Sequence, residues 1–258
     1  MIENLKIKQE LNKLEVKEMM FLNKNVNDGN IKVKIHEIIP AGLEETLKSA
    51  FIKAFELVFN KGTEIIEKSF DKEKINLEYE TSKFMLDYKE SKENIEKIDK
   101  YPKKTNFINN LVTTSVGTGM GIIGMGIPDI PIFVATMLRG IYQISLSYGY
   151  EYSYDVEKVY ILRIIRIALA KSAKEKKEYN DELKNKGTYQ TSLEEEIRKT
   201  AEVMANALLI EKFIQGIPVV GAIGGLTNNS VYRKVSNFSM IKYKKRYLKD
   251  KINKTTKG

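Results

Sequence analysis

Two stretches of this chain shed every charge and fill with glycine, residues 105–128 and residues 213–232, although 30% of all residues are Asp, Glu, Lys or Arg. Each contains the tripeptide Gly-Ile-Pro. Gly117, Gly119, Gly121, Gly124 and Gly126 lead into Ile127-Pro128, and Gly216-Ile217-Pro218 leads into Gly221, Gly224 and Gly225. Glycine inside a helix or strand costs about 0.5–1 kcal/mol relative to alanine, so its accumulation among apolar residues points to close backbone approach or to a membrane-facing element. A spanning helix needs about 20 predominantly apolar residues. Residues 105–128 hold ten apolar side chains among 24, and residues 213–232 include Gln215, Asn228 and Asn229, so neither reads as a span. The pairs Gly117/Gly121 and Gly221/Gly225 have the GxxxG spacing that lets helices cross closely. The two segments therefore read as helix-hairpin elements, near one another in a core or dipping into one leaflet of a membrane.

Elsewhere the apolar period is helical. Leu5 to Phe21 is weakly amphipathic, and Asn25 to Asn30 is a loop around Asp28-Gly29. Ile31, Val33 and Ile35 alternate with Lys32, Lys34 and His36, a strand-like run with no evident partner strand. Leu47, Phe51, Ala54 and Val58 follow acidic Glu44 and Glu45 at helical spacing, in a helix expected to stall near Gly62. A single helix is expected from about Ile75 to Ile98, with Leu77, Phe84, Tyr88 and Ile95 on its inner face and Tyr101-Pro102 ending it. Asp129 with Pro131 opens a further helix that Gly149 closes; a nearly all-apolar helix runs from about Val156 to Ala170, with Lys171 to Gly187 as its polar tail. Ser192 and Glu195 are spaced as a capping box for a helix through Lys212, and a basic helix runs from about Val231 to Lys251. The fold expected is all-α: an N-terminal helix and loop over residues 1–30, then one helical domain over residues 31–258.

At this point the residues resemble a known family. The run from Gly117 to Tyr150 combines a glycine-rich stretch, Pro128-Asp129, an apolar helix containing Arg139, and Tyr148-Gly149; Ile217 to Val231 repeats Ile-Pro, then Gly-Ala and an Asn-rich turn. Both are similar to elements of the EcsC family, and the resemblance extends over roughly residues 38–248. It implies a bacterial, mostly helical protein whose namesake is encoded beside an ABC transporter. It implies no particular chemistry.

The residues themselves exclude several chemistries. Without cysteine there is no disulfide framework, thiolate metal site or cysteine nucleophile, and the N-terminus shows no apolar signal region, so a cytoplasmic place is expected. His36 is the single histidine and has no obvious partners for a zinc site or a Ser-His-Asp triad. Gly119, Gly121 and Gly124 fit G-x-G-x-x-G, but Gly126 and Pro128 interrupt the long helix that a dinucleotide turn must open. No cofactor or metal is expected.

What remains is charge. Asp129, Arg139, Gln143, Arg163 and Arg166 form a candidate anion or lipid site: Thr136, Arg139, Gln143 and Ser147 make a polar stripe on an apolar helix, and Arg163 and Arg166 share one side of the next. The structural alternative has Asp129 capping its helix and an arginine paired with a carboxylate or with helix-end carbonyls, because an isolated buried charge is prohibitive. Tyr142, Tyr148, Tyr150, Tyr152, Tyr154 and Tyr160 read as core and rim packing or as a membrane-interface cluster. The net charge of +9 favours anionic partners, and eight of the last 17 residues are basic. Lys242, Lys244, Lys245, Arg246, Lys249 and Lys251 are the candidate membrane contact, each near-surface cation contributing about 1 kcal/mol on an anionic bilayer. On that reading residues 242–258 could be removed without unfolding the domain. The function expected is a non-catalytic, membrane-associated accessory or binding protein at the inner face of the cell membrane, with an anionic surface or a membrane protein as partner. An enzyme or carrier for a lipid or other anionic small molecule is the alternative, and a nucleic-acid-binding module the second.

Overall fold

A computed structural model describes residues 4–24, 42–100, 129–184, 191–214 and 229–255, and among these every regular element is a helix. Most of both glycine-rich segments, the strand-like run with His36, the 25–30 loop and the Tyr101-Pro102 stop lie outside the described residues, as does the expected proximity of the two Gly-Ile-Pro elements.

The helices are α1 (Leu5–Asn23), α2 (Leu43–Leu57), α3 (Thr63–Glu67), α4 (Lys72–Tyr88), α5 (Lys92–Ile98), α6 (Asp129–Ser147), α7 (Asp155–Leu169), α8 (Ala173–Lys184), α9 (Leu193–Ile214) and α10 (Asn229–Thr255). Helices apolar on all sides must lie at the centre of a packed domain. That is the position of α6 and α7: the stretch from Ile130 to Ser147 is long and apolar enough to cross a bilayer by length and composition, with mean hydropathy 1.3, yet 89% of it is buried within the protein. Around these two, α2 and α4 pack on α6, α8 and α9 pack on α7, and α10 touches both. The outermost layer includes α1, laid along α10 and α8 through Ile7, Leu11, Leu14 and Leu22. Although the sequence sets α1 apart as an N-terminal segment, these residues join the same core.

Several local expectations are met in detail. Gly149 closes α6 at φ 80°, with the Tyr150 amide donating to the Ser145 carbonyl at 2.9 Å, a left-handed C-terminal cap that glycine adopts without Cβ strain. Ser192 accepts the Glu195 amide at 3.2 Å at the start of α9. Three expectations change. The chain does not stall at Gly62 but passes through a π-helical turn, Val58–Gly62, straight into α3. The 171–187 tail contains a separate helix, α8, started by its own capping pair: Ser172 accepts the Glu175 amide at 3.2 Å while the Glu175 carboxylate accepts the Lys171 amide at 2.9 Å.

The third change concerns phase. Residues 75–98 form two helices, broken where Ser91 caps α5 by accepting the Asn94 amide and Asn94 donates back to the Met85 and Lys89 carbonyls. Ile75 and Leu86 are buried, whereas Leu77, Phe84 and Tyr88 are 68%, 67% and 81% exposed. The inner face runs through positions 75, 79, 82 and 86, where Tyr79 and Ser82 dilute the apolar signal.

Candidate functional site

In the middle of α10, Lys242 and Lys244 are buried, and Lys245 and Arg246 partly so. Lys242 donates to Glu18 at 2.8 Å and to Asn180 at 2.9 Å, and Lys244 donates to Glu10 at 2.6 Å and Asp99 at 2.7 Å. Lys245 reaches Glu18 and, at 3.4 Å, Glu15, while Lys249 lies 3.8 Å from Glu15. Lys251 pairs with Asp87. Arg246 meets the buried Glu157 carboxylate at 3.0 and 2.8 Å, stacks 3.9 Å from the Tyr150 ring centre and 4.8 Å from that of Tyr160, and shares Glu157 with the Tyr243 hydroxyl at 2.7 Å. Burial pushes the Glu18 carboxyl up, but Lys242 and Lys245 outweigh it and hold the group below its usual range; burial draws the Lys242 ammonium below its own.

Of the six cations read as a membrane contact, Lys242, Lys244, Lys245, Arg246 and Lys251 are thus paired with this chain's own carboxylates, while Lys249 stays half exposed beside Glu15. Tyr243, Tyr247 and Leu248 between them are buried, so the segment is core and not a detachable tail.

The five-residue anion site divides. Arg163, 1% exposed, donates to Glu196 at 3.0 Å through Nε, with its Nη2 2.9 Å from the same oxygen and 3.3 Å from the Thr191 hydroxyl. Arg166 pairs with Glu182, lies 3.6 Å from the second Glu196 oxygen, and sits 4.6 Å from the Tyr179 ring centre. Two arginines on α7 are therefore tied to α8 and α9 by carboxylates the sequence reading did not name. Arg139, on α6, turns the other way and donates to the Ser69 hydroxyl at 2.7 Å and the Ser69 carbonyl at 2.8 Å, just beyond α3. This is the helix-end carbonyl role. Gln143 is buried on α6, and its amide oxygen has no hydrogen-bond partner. The Asp129 side chain lies outside the described residues. Of the tyrosine cluster, Tyr142, Tyr148, Tyr152 and Tyr160 are buried and Tyr154 is 69% exposed.

A different surface carries free positive charge. On α1 the side opposite its core residues presents Leu5, Gln9, Asn12, Val16, Met19 and Asn23, spaced three or four apart, with Met20 beside them and no charge among the seven. Four apolar members are open to solvent: Leu5 at 49%, Val16 at 50%, Met19 at 56% and Met20 at 67%. Lys6, Lys13, Lys17 and Lys24 border this stripe at spacings of seven and four, all exposed. Among the described residues only Lys13 of these has an ion pair, with Glu10 at 3.6 Å. Two acids of the helix, Glu10 and Glu18, go to α10, Glu10 also meeting Lys13. The stripe is thus edged by four exposed lysines, of which Lys6, Lys17 and Lys24 have no ion pair among the described residues. The sequence reading missed it because α1 is apolar on two opposite faces, which cancels its amphipathic signal; the lysine spacing and the Met19-Met20 doublet were the visible clue.

Comparison with known proteins places these elements in a family frame. The model of the EcsC protein family matches residues 5–248, from the start of α1 into α10. Uncharacterized protein YdbA of Bacillus subtilis (strain 168) is 25% identical over 156 residues, which is 58% of this chain and 57% of that protein, so the match spans a little over half of the relative's length. No solved structure matches.

Proposed function

Since the chain belongs to the EcsC protein family, we propose that it is a non-catalytic binding protein docked peripherally on an anionic membrane surface, with the outward face of α1 as the contact. The observation that supports the reading is the segregation of charge on α1: carboxylates turned inward to α10, lysines and bare Leu5, Val16, Met19 and Met20 turned outward. The apolar side chains would enter the headgroup boundary while the lysines meet phosphates, four near-surface cations contributing about 4 kcal/mol together. At the inner face of the cell membrane such an accessory would stand beside membrane proteins, the transporter implied by the family resemblance among them.

Flotation with vesicles tests this. The protein is expected to float with phosphatidylglycerol-containing vesicles and not with pure phosphatidylcholine, and about 0.5 M salt is expected to release most of it. Reversing Lys6, Lys13, Lys17 and Lys24 to Glu should weaken binding by about a hundredfold or more. The same four reversals at exposed Lys53, Lys92, Lys174 and Lys177 match the net charge and should cost far less. Equal losses in the two quadruple variants would reject α1 as the contact.

A further inference from the structure

Where α4, the α6–α7 turn and α10 meet, the surface opens into a cleft of about 230 Å³, and none of its lining residues lies on α1. The turn is forced to this place by Gly149. A Cβ there would stand 2.2 Å from Tyr79 Cζ, so the Tyr79 ring of α4 closes against bare backbone, and Tyr148 and Tyr150 are carried to either side. Tyr247 completes an aromatic lining, its ring centre 6.2 Å from that of Tyr79 and 6.4 Å from that of Tyr148.

The polar groups around these rings are unequal. Both lining carboxylates are engaged, Asp87 with Lys251 and Asp250 with the Tyr150 hydroxyl at 2.7 Å. The donors are not all engaged. Lys254 is exposed and has no ion pair among the described residues, and the Tyr247 hydroxyl, in a residue only 7% exposed, has no hydrogen-bond partner. Burial pushes the Tyr247 phenol up, so it remains a protonated donor at neutral pH. Lys83 already lies 5.9 Å from the Tyr79 ring centre, which leaves the rings little use for a cationic ligand. Ligand pockets of drug-sized molecules run to about 300–1,000 Å³, so this one suits something smaller.

From the aromatic lining, the engaged acceptors and the free donors, we infer that the cleft binds a small organic anion built on one aromatic ring, the ring against Tyr79 and Tyr247 and the carboxylate or phosphate toward Lys254. This site is separate from the membrane contact and can be tested without lipid.

Calorimetric titration of the full chain with phenyl phosphate, inorganic phosphate, benzyl alcohol and benzyltrimethylammonium separates ring, anion and cation. Phenyl phosphate is expected to bind at least about tenfold more tightly than each of the others. Lys254→Glu should weaken it by about tenfold, and Tyr247→Phe, which removes only the unpartnered hydroxyl, by a few fold, while both variants keep the parent melting transition. A preference for benzyltrimethylammonium, unchanged phenyl phosphate affinity in both variants, or no binding up to about 10 mM would overturn the assignment.

Discussion

A chain ending at Ile241 is expected to lose its cooperative thermal transition. The cut removes Tyr243, Tyr247 and Leu248 from the core, each worth about 1.5–3 kcal/mol of apolar burial. It also strands carboxylates. Glu18, Asp99 and Glu157 are 4%, 7% and 5% exposed and take their cations from α10, and a buried charge deprived of its partner costs about 3–5 kcal/mol. A domain has about 5–15 kcal/mol in total, so the losses exceed what is there to lose. Calorimetry of the truncated chain checks this; a transition within a few degrees of the full chain would mean that the helix is the solvated tail its composition suggests.

The second large effect lies on α7. Replacing Glu196 by Leu leaves Arg163 buried without its carboxylate and removes the more distant of the two carboxylates beside Arg166, for a loss of about 3–5 kcal/mol, or on the order of 10 °C in a chain of this size. Arg163→Met alone leaves Glu196, which is 0% exposed, with Arg166 at 3.6 Å in place of its hydrogen-bonded partner, and should cost a similar amount. The double variant puts two apolar groups where the pair stood. It should therefore lose less than the sum of the singles, with a coupling of about 1–3 kcal/mol read from denaturant midpoints. Strictly additive losses would show that Arg163 and Glu196 do not act as a pair, and would reopen α7 as an anion site.

These two predictions mark where sequence reading succeeds and where it stops. The helical class was legible, because apolar residues recur at three and four nearly throughout. So were α6 and α7, whose lack of charge on most sides demands a central place, and so was Gly149, whose position after Ser147 calls for a left-handed cap. The capping pair Ser172 and Glu175 was equally visible and shows that α8 was available to the same rule. The inner face of α4 was not, because Tyr79 and Ser82 stand where the period needs apolar side chains.

The basic helix failed for a different reason. Its counterions come from far along the chain: Lys242 and Glu18 are 224 residues apart, Lys244 and Glu10 234. No local pattern announces such pairs. The one local hint was that Tyr243, Tyr247 and Leu248 interrupt the lysine run with large apolar groups, which a solvated tail has no need to carry. Exposed lysines bordering an uncharged stripe stand at the other end of the chain, on α1.

The most direct measurement of that exchange uses the absence of cysteine, which makes any introduced thiol the single labelling site. An environment-sensitive fluorophore attached at Met20→Cys on α1, or at Asn253→Cys on the exposed end of α10, is followed as phosphatidylglycerol-containing vesicles are added. The Met20 label is predicted to brighten, shift to the blue and become accessible to a quencher carried on the lipid chains, while the Asn253 label stays unchanged. A response at Asn253 with none at Met20 would contradict the account.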